Sequence, residues 1–191
     1  MLGITGPPAA GKTRLAGALA RSVADRRGGG FAVVAPMDGF HLTNSTLDAL
    51  GLRAVKGAPE TFDVEGFLHH LRRVREEPRA TLWWPEFHRE LDAPTAEAIE
   101  ITPRAKLVIT EGNYLLLSRP LWSEVRPILD LVWYLDAPRE LLRARLLERQ
   151  LAGGRTDAEA VRFVEGSELP NAELVEQSRA LADRVLRLPA D

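Results

Sequence analysis

The chain has 191 residues, 45% hydrophobic and 27% charged, the amount of apolar material that one ordinary folded domain needs, so intrinsic disorder is excluded. Its 25 basic and 27 acidic residues nearly cancel to a net charge of −2, which offers no electrostatic grip on nucleic acid or an anionic membrane. Cysteine is absent, which removes disulfides and thiolate metal sites, and no apolar run approaches the roughly 18 residues a membrane helix requires.

The short apolar run 2–5 predicts a first strand that enters a glycine-rich segment at once. No room is left for a cleavable signal sequence, so a cytoplasmic location is expected. Leu15, Ala16, Leu19, Ala20 and Val23 then recur on one face of a helix, which Gly28-Gly29-Gly30 ends. Buried strands are predicted at 31–35, 107–110 and 131–135, because these runs are short, apolar and rich in β-branched residues. Trp83 and Trp84 are read as strand and core residues. Helical patterns follow at 138–151, with Pro138 in the first turn, then from Asp157, and then at 171–182. A closing strand is predicted at 185–188. Strands alternating with helices imply a doubly wound, mainly parallel α/β sheet. With no repeat or linker, residues 1–191 read as one domain with an inserted region at about 40–105.

Gly6-Pro7-Pro8-Ala9-Ala10-Gly11-Lys12-Thr13 satisfies the pattern G-x-x-x-x-G-K-[ST] in full, between a predicted strand and a predicted helix. This is a phosphate-binding P-loop. Glycines let the backbone wrap an anion, Lys12 reaches the β- and γ-phosphates, and the Thr13 hydroxyl can ligate Mg²⁺. Lys12 is one of only three lysines in a chain whose other basic residues are arginines.

A P-loop does not by itself separate kinases from switches and motors. Asp38, in Pro36-Met37-Asp38-Gly39-Phe40-His41, follows the second predicted strand and should face the phosphates, since parallel strands end on one edge. A carboxylate there can take the proton of an acceptor hydroxyl, although Asp-Gly is also a common turn pair. Glu111 ends the strand at 107–110, a place suited to a carboxylate near Mg²⁺ or the acceptor, or to a plain surface acid. Arg143, Arg145, Arg149 and Arg155 surround a helix end and the Gly153-Gly154 break. They suit a lid at about 149–160 that neutralises charge on a transferring phosphoryl group, although most arginines on such a helix are merely solvated.

Together these residues resemble the uridine kinase, pantothenate kinase and phosphoribulokinase group of P-loop kinases over nearly the whole chain. Lys56-Gly57-Ala58-Pro59-Glu60-Thr61-Phe62-Asp63 and the segment 149–171 are similar to a branch sometimes labelled fructose-transport kinase. The resemblance implies an ATP- and Mg²⁺-dependent kinase of the P-loop nucleoside triphosphate hydrolase fold, acting on a hydroxyl of a small metabolite. It implies Asp38 as catalytic base, acting with Lys12 and Arg149, and Gly6, Pro7, Pro8, Ala9, Ala10, Gly11, Lys12, Thr13, Arg14 and Arg155 on the nucleotide. His41, Asp63, His88, Arg89 and Glu111 fall on the acceptor side, and Thr13 and Glu111 would hold the metal. Two positions depart from the group: Arg14 replaces a second Ser or Thr, and His88 in Pro85-Glu86-Phe87-His88-Arg89 replaces an acid. Partners other than a small acceptor are not expected, apart from a homodimer. A uridine or cytidine kinase and a regulatory NTPase without an acceptor are the alternatives, and no Asn-Lys-x-Asp guanine motif occurs.

Overall fold

The structure is a computed structural model and describes residues 1–187. The first strand, β1 (Leu2–Thr5), leads through the P-loop into α1 (Lys12–Arg27) and then β2 (Ala32–Pro36). A 3₁₀ turn (Met37–Phe40) opens the inserted region, which holds α2 (Asn44–Leu50), α3 (Val64–Glu76), β3 (Leu82–His88) and β4 (Ala93–Ile101). After β5 (Leu107–Gly112) come α4 (Val125–Ile128), β6 (Leu131–Asp136) and α5 (Arg139–Ala152). The chain closes with α6 (Asp157–Phe163), a π-helical turn (Val164–Glu168), α7 (Leu169–Glu176) and β7 (Arg184–Arg187).

Five parallel strands form one sheet in the order β2-β5-β1-β6-β7. β1 lies at its centre and is buried along its whole length, which explains its unbroken apolar character. The predicted strands at 31–35, 107–110 and 131–135 all belong to this sheet, and the sheet is the α/β P-loop arrangement. The predicted closing strand is β7, although Leu188 lies outside the described residues. The predicted helix 171–182 is shorter. α7 stops at Glu176, where Ser178 turns back on Val175 through its hydroxyl (2.7 Å) and its amide (3.1 Å).

The inserted region shares the main core. Phe40, Phe67, Trp84 and Trp122 interlock with ring centroids 5.2 to 6.4 Å apart, and Phe62 packs on Tyr114 at 5.7 Å. Tyr114 also donates its hydroxyl to the Gly57 carbonyl at 2.5 Å, tying the loop before α3 to the segment after β5. Truncating a ring such as Trp84 would cost about 3–5 kcal/mol by the usual measure of core deletions. Trp84 is buried and its indole N–H donates to the Pro36 carbonyl at 2.9 Å, but Trp83 is 45% exposed. Period-two alternation sends the first indole of the pair to solvent, correcting the core reading of Trp83.

β3 and β4 form an antiparallel hairpin interrupted by a register shift between Trp84 and Glu86. Among the described residues, no helix is long and apolar enough to cross a membrane.

Candidate active site

Parallel pairing brings three strand ends to one edge: Ile4 lies opposite Glu111, Thr5 opposite Gly112, and Pro36 opposite Glu111. The P-loop leaves β1 there, and Asp38 follows β2 by two residues. Gly6 (φ 147°) is required by close packing, since a Cβ there would stand 2.4 Å from the Leu135 carbonyl oxygen. Gly11 (φ 99°) turns the chain into α1. The amides of Ala9, Gly11, Lys12 and Thr13 have no acceptor among the described residues, so the cradle presents several unengaged donors of the kind a polyphosphate accepts from.

Lys12 is buried. Its ammonium group donates to the Gly6 and Pro7 carbonyls, both at 2.9 Å, and to Oδ1 of Asn113 at 2.7 Å. Burial pulls its pKa down to about 8, against the opposing pull of the Glu111 and Asp38 carboxylates. Thr13 donates its hydroxyl to Oε1 of the buried Glu111 at 2.8 Å. Burial and the nearby Asp38 charge push the Glu111 carboxyl above the ordinary range. These are hard oxygen donors of the kind Mg²⁺ takes. Among the described residues no group of three or more His, Asp or Glu forms a metal site alone, so a bound Mg²⁺ would need phosphate oxygens as well.

Asp38 rides on a turn wedged between β5 and the hairpin. A Cβ on Gly39 would lie 2.1 Å from the Pro85 carbonyl oxygen, and one on Gly112 would lie 2.5 Å from the Met37 Cβ. The Asp38 carboxylate is 3.6 Å from the Arg89 guanidinium, which the hairpin turn supplies. That turn is anchored: Lys56 donates to the Asp92 carboxylate (2.7 Å) and carbonyl (2.8 Å), and Asn44 donates to the same carboxylate at 3.0 Å. His41 stacks between Phe62 and Phe87, with centroids 4.1 and 4.6 Å away, and burial there keeps its imidazole below its usual pKa.

α5 approaches from the other side. Arg145 reaches the Ala9 carbonyl at 3.4 Å, while Ala9 packs against the buried cluster of Leu146, Val164 and Leu169. Arg149 makes a two-pronged contact with Glu168 of the π-helical turn, 2.6 Å to each oxygen, and its charge is felt by Lys12.

No protein-family model matches the chain. A candidate uridine kinase of Schizosaccharomyces pombe, C227.14, is 32% identical over 193 residues, covering 98% of this chain and 82% of that protein. The chain belongs to the uridine kinase-like P-loop kinases. A solved structure of a candidate fructose transport system kinase from Silicibacter sp. TM1040 superposes with a TM-score of 0.88 at 38% identity, covering 97% of this chain and 88% of that one. The Escherichia coli protein YggC is 41% identical over 153 residues, 80% of this chain but 62% of its own length, so this chain spans less than two thirds of that relative.

Within this uridine kinase-like chain, Asp38, Lys12, Thr13, Glu111 and Arg89 come together at one sheet edge, with His41 beside them and Arg149 near Lys12. Three other expected residues, Asp63, Arg155 and His88, do not join them by any described contact. Asp63 caps α3, its carboxylate accepting the Gly66 amide at 2.9 Å, so the group expected to face an acceptor is held by a helix end. Arg155 is held outside the P-loop, 4.2 Å over the Phe163 ring with its Nε on Gln150 at 2.9 Å. His88 ends β3 paired with Ala93, and its imidazole makes no described hydrogen bond or ion pair. Asn113 was missed. It holds the P-loop lysine and accepts the Thr5 hydroxyl on its carbonyl at 3.0 Å, and its place next to Glu111-Gly112 was the available signal.

Proposed function

We propose that this protein is an ATP- and Mg²⁺-dependent kinase that phosphorylates a hydroxyl group of a small metabolite, with Asp38 as general base. The observation that carries this reading is the position of Asp38. It is a second carboxylate, one-third exposed, at the same sheet edge as the Thr13–Glu111 pair and outside that hydrogen bond. Nucleotide and metal binding have Lys12, Thr13 and Glu111; a carboxylate beyond them, met by the Arg89 guanidinium at 3.6 Å, suits an acceptor proton.

In this reading the acceptor oxygen attacks the γ-phosphorus of ATP, its proton passes to Asp38, and the bond from that phosphorus to the β,γ-bridging oxygen breaks, leaving ADP. Lys12 faces the phosphates, and Arg149 exchanges Glu168 for phosphoryl oxygens when α5 and α6 close. Mg²⁺, held by Thr13 and Glu111 with phosphate oxygens, would neutralise charge on the transferring group. A nucleoside acceptor is the second reading, favoured by the name of the S. pombe relative.

Acceptor-dependent ADP release from a panel of nucleosides, sugars and hydroxy acids tests this directly. Asp38→Asn should cut transfer by roughly 10²–10⁴-fold while leaving nucleotide affinity nearly unchanged. A regulatory NTPase would instead show no acceptor stimulation, and full transfer by Asp38→Asn would remove the base from the mechanism.

A further inference from the structure

We propose that the acceptor is an anion: it carries a carboxylate or phosphate beside the hydroxyl that is phosphorylated, and Arg89 reads that group. The inference rests on the kinase reading above. It starts from the ion pair that Arg89 makes with the proposed base. Arg89 stands 3.6 Å from one oxygen of the Asp38 carboxylate, too far for a good hydrogen bond and close enough to compete for the group that a hydroxyl must reach. A general base has to approach its hydroxyl to about 2.6–3.2 Å, so the guanidinium must move off or share the carboxylate.

Arg89 is 64% exposed and has no other ion-pair partner among the described residues, so it is held loosely. Its turn is not loose. Asp92 is fixed to Lys56 and Asn44, and Lys56 lies 5.1 Å over the Phe87 ring, which places the base of the Arg89 side chain firmly at the mouth of the site. From there its charge reaches Lys12, His41 and Glu111. The hairpin is thus an anchored mount for an exposed guanidinium beside Asp38.

An anionic group on the acceptor offers this guanidinium a planar, two-bond partner, a better contact than the present one. Binding then does two things together: it fixes the acceptor, and it draws Arg89 off Asp38 so that the hydroxyl can take its place. A neutral acceptor offers nothing in exchange and leaves the base covered. Burial between two rings disfavours the charged form of His41, which weakens it as a competing cation for that anion.

The test pairs acceptors that differ only in charge: D-glycerate with glycerol, pantothenate with pantothenyl alcohol, and ribose 5-phosphate with ribose, with uridine as a further neutral compound. Transfer from γ-labelled ATP should favour the anionic member of any active pair by at least about tenfold in kcat/KM. Which of carboxylate and phosphate is preferred identifies the anion. Arg89→Gln should raise KM for that acceptor far more than it changes kcat, and Arg89→Lys should restore part of the loss. A neutral compound turned over as well as its charged partner, or an Arg89→Gln variant with unchanged KM, overturns the proposal while leaving the kinase reading intact. If no compound is phosphorylated, the kinase reading fails first, and calorimetry decides on Arg89 independently. In the ADP complex, 3-hydroxypropionate should bind wild type and lose at least about tenfold in affinity in Arg89→Gln, with no binding of 1,3-propanediol. Equal titrations of the two proteins would remove Arg89 as an anion reader.

Discussion

Nucleotide binding by this chain should take up a proton at alkaline pH, because the P-loop lysine is only partly charged there before the phosphates arrive. Burial lowers the Lys12 pKa to about 8, and a bound polyphosphate would restore the charged form. If only the charged form binds well, the apparent Kd scales as one plus ten to the power of pH minus 8. Between pH 7.5 and 9.5 that is a weakening of about 25-fold, or about 2 kcal/mol. The sign for folding is opposite. The folded pKa of Lys12 lies below its unfolded value of 10.5, so the unfolded chain holds more protons between about pH 8 and 10.5, and Lys12 contributes a stability that rises with pH across that window. Weaker binding at pH 9.5 is therefore not a loss of fold through this group. Calorimetric titration of ADP in two buffers of different ionisation enthalpy measures the uptake, expected near one proton per nucleotide at pH 9.5 and about a quarter of one at pH 7.5. Lys12→Met should bind weakly at both values with no uptake from this group. A Kd for wild type that is flat across the range, with no proton uptake at pH 9.5, would refute the argument.

Two further substitutions separate site from scaffold. Asn113→Ala removes the 2.7 Å contact to the Lys12 ammonium and should weaken ADP binding by roughly tenfold in calorimetry, with far-ultraviolet circular dichroism unchanged. Asp63→Ala should lower stability by about 1 kcal/mol in urea denaturation, the usual worth of an N-cap, and leave KM for acceptor and nucleotide alone; a raised acceptor KM would return Asp63 to the acceptor site.

The parts of this protein that could be read from the sequence are those whose physics is local. The P-loop is one unbroken string whose glycines and lysine act on the same ligand, and β5 announces Glu111 because a fully buried strand leaves its only acid at the end. The hairpin was hidden for a corresponding reason. β4 is mostly exposed, carries Pro94 and has no clean alternation, so nothing in it speaks of burial until β3 is laid beside it. The Asp63 cap was visible in principle, since an acid immediately before the apolar pattern of α3 is an N-terminal signal.

Contacts between distant segments form the other class. Asn113 meets Lys12 across 101 residues of sequence, and Arg89 meets Asp38 only because Gly39 lets the hairpin backbone close on the turn after β2. The arginines of α5 make the same point. Arg139 pairs with Glu173 of α7, and Arg143 and Arg149 pair with Glu165 and Glu168 of the π-helical turn; in sequence the three arginines are alike. Burial separates them: Glu165 and Glu173 are about half exposed, whereas the Glu168 side chain keeps 10% of its surface. Exposed pairs of this kind are worth little, but a buried carboxylate that loses its guanidinium is left uncompensated. A phosphoryl group that recruited Arg149 would have to outcompete Glu168, and the Gln150 amide, 2.7 Å from the same carboxylate, is the remaining donor that would partly compensate it.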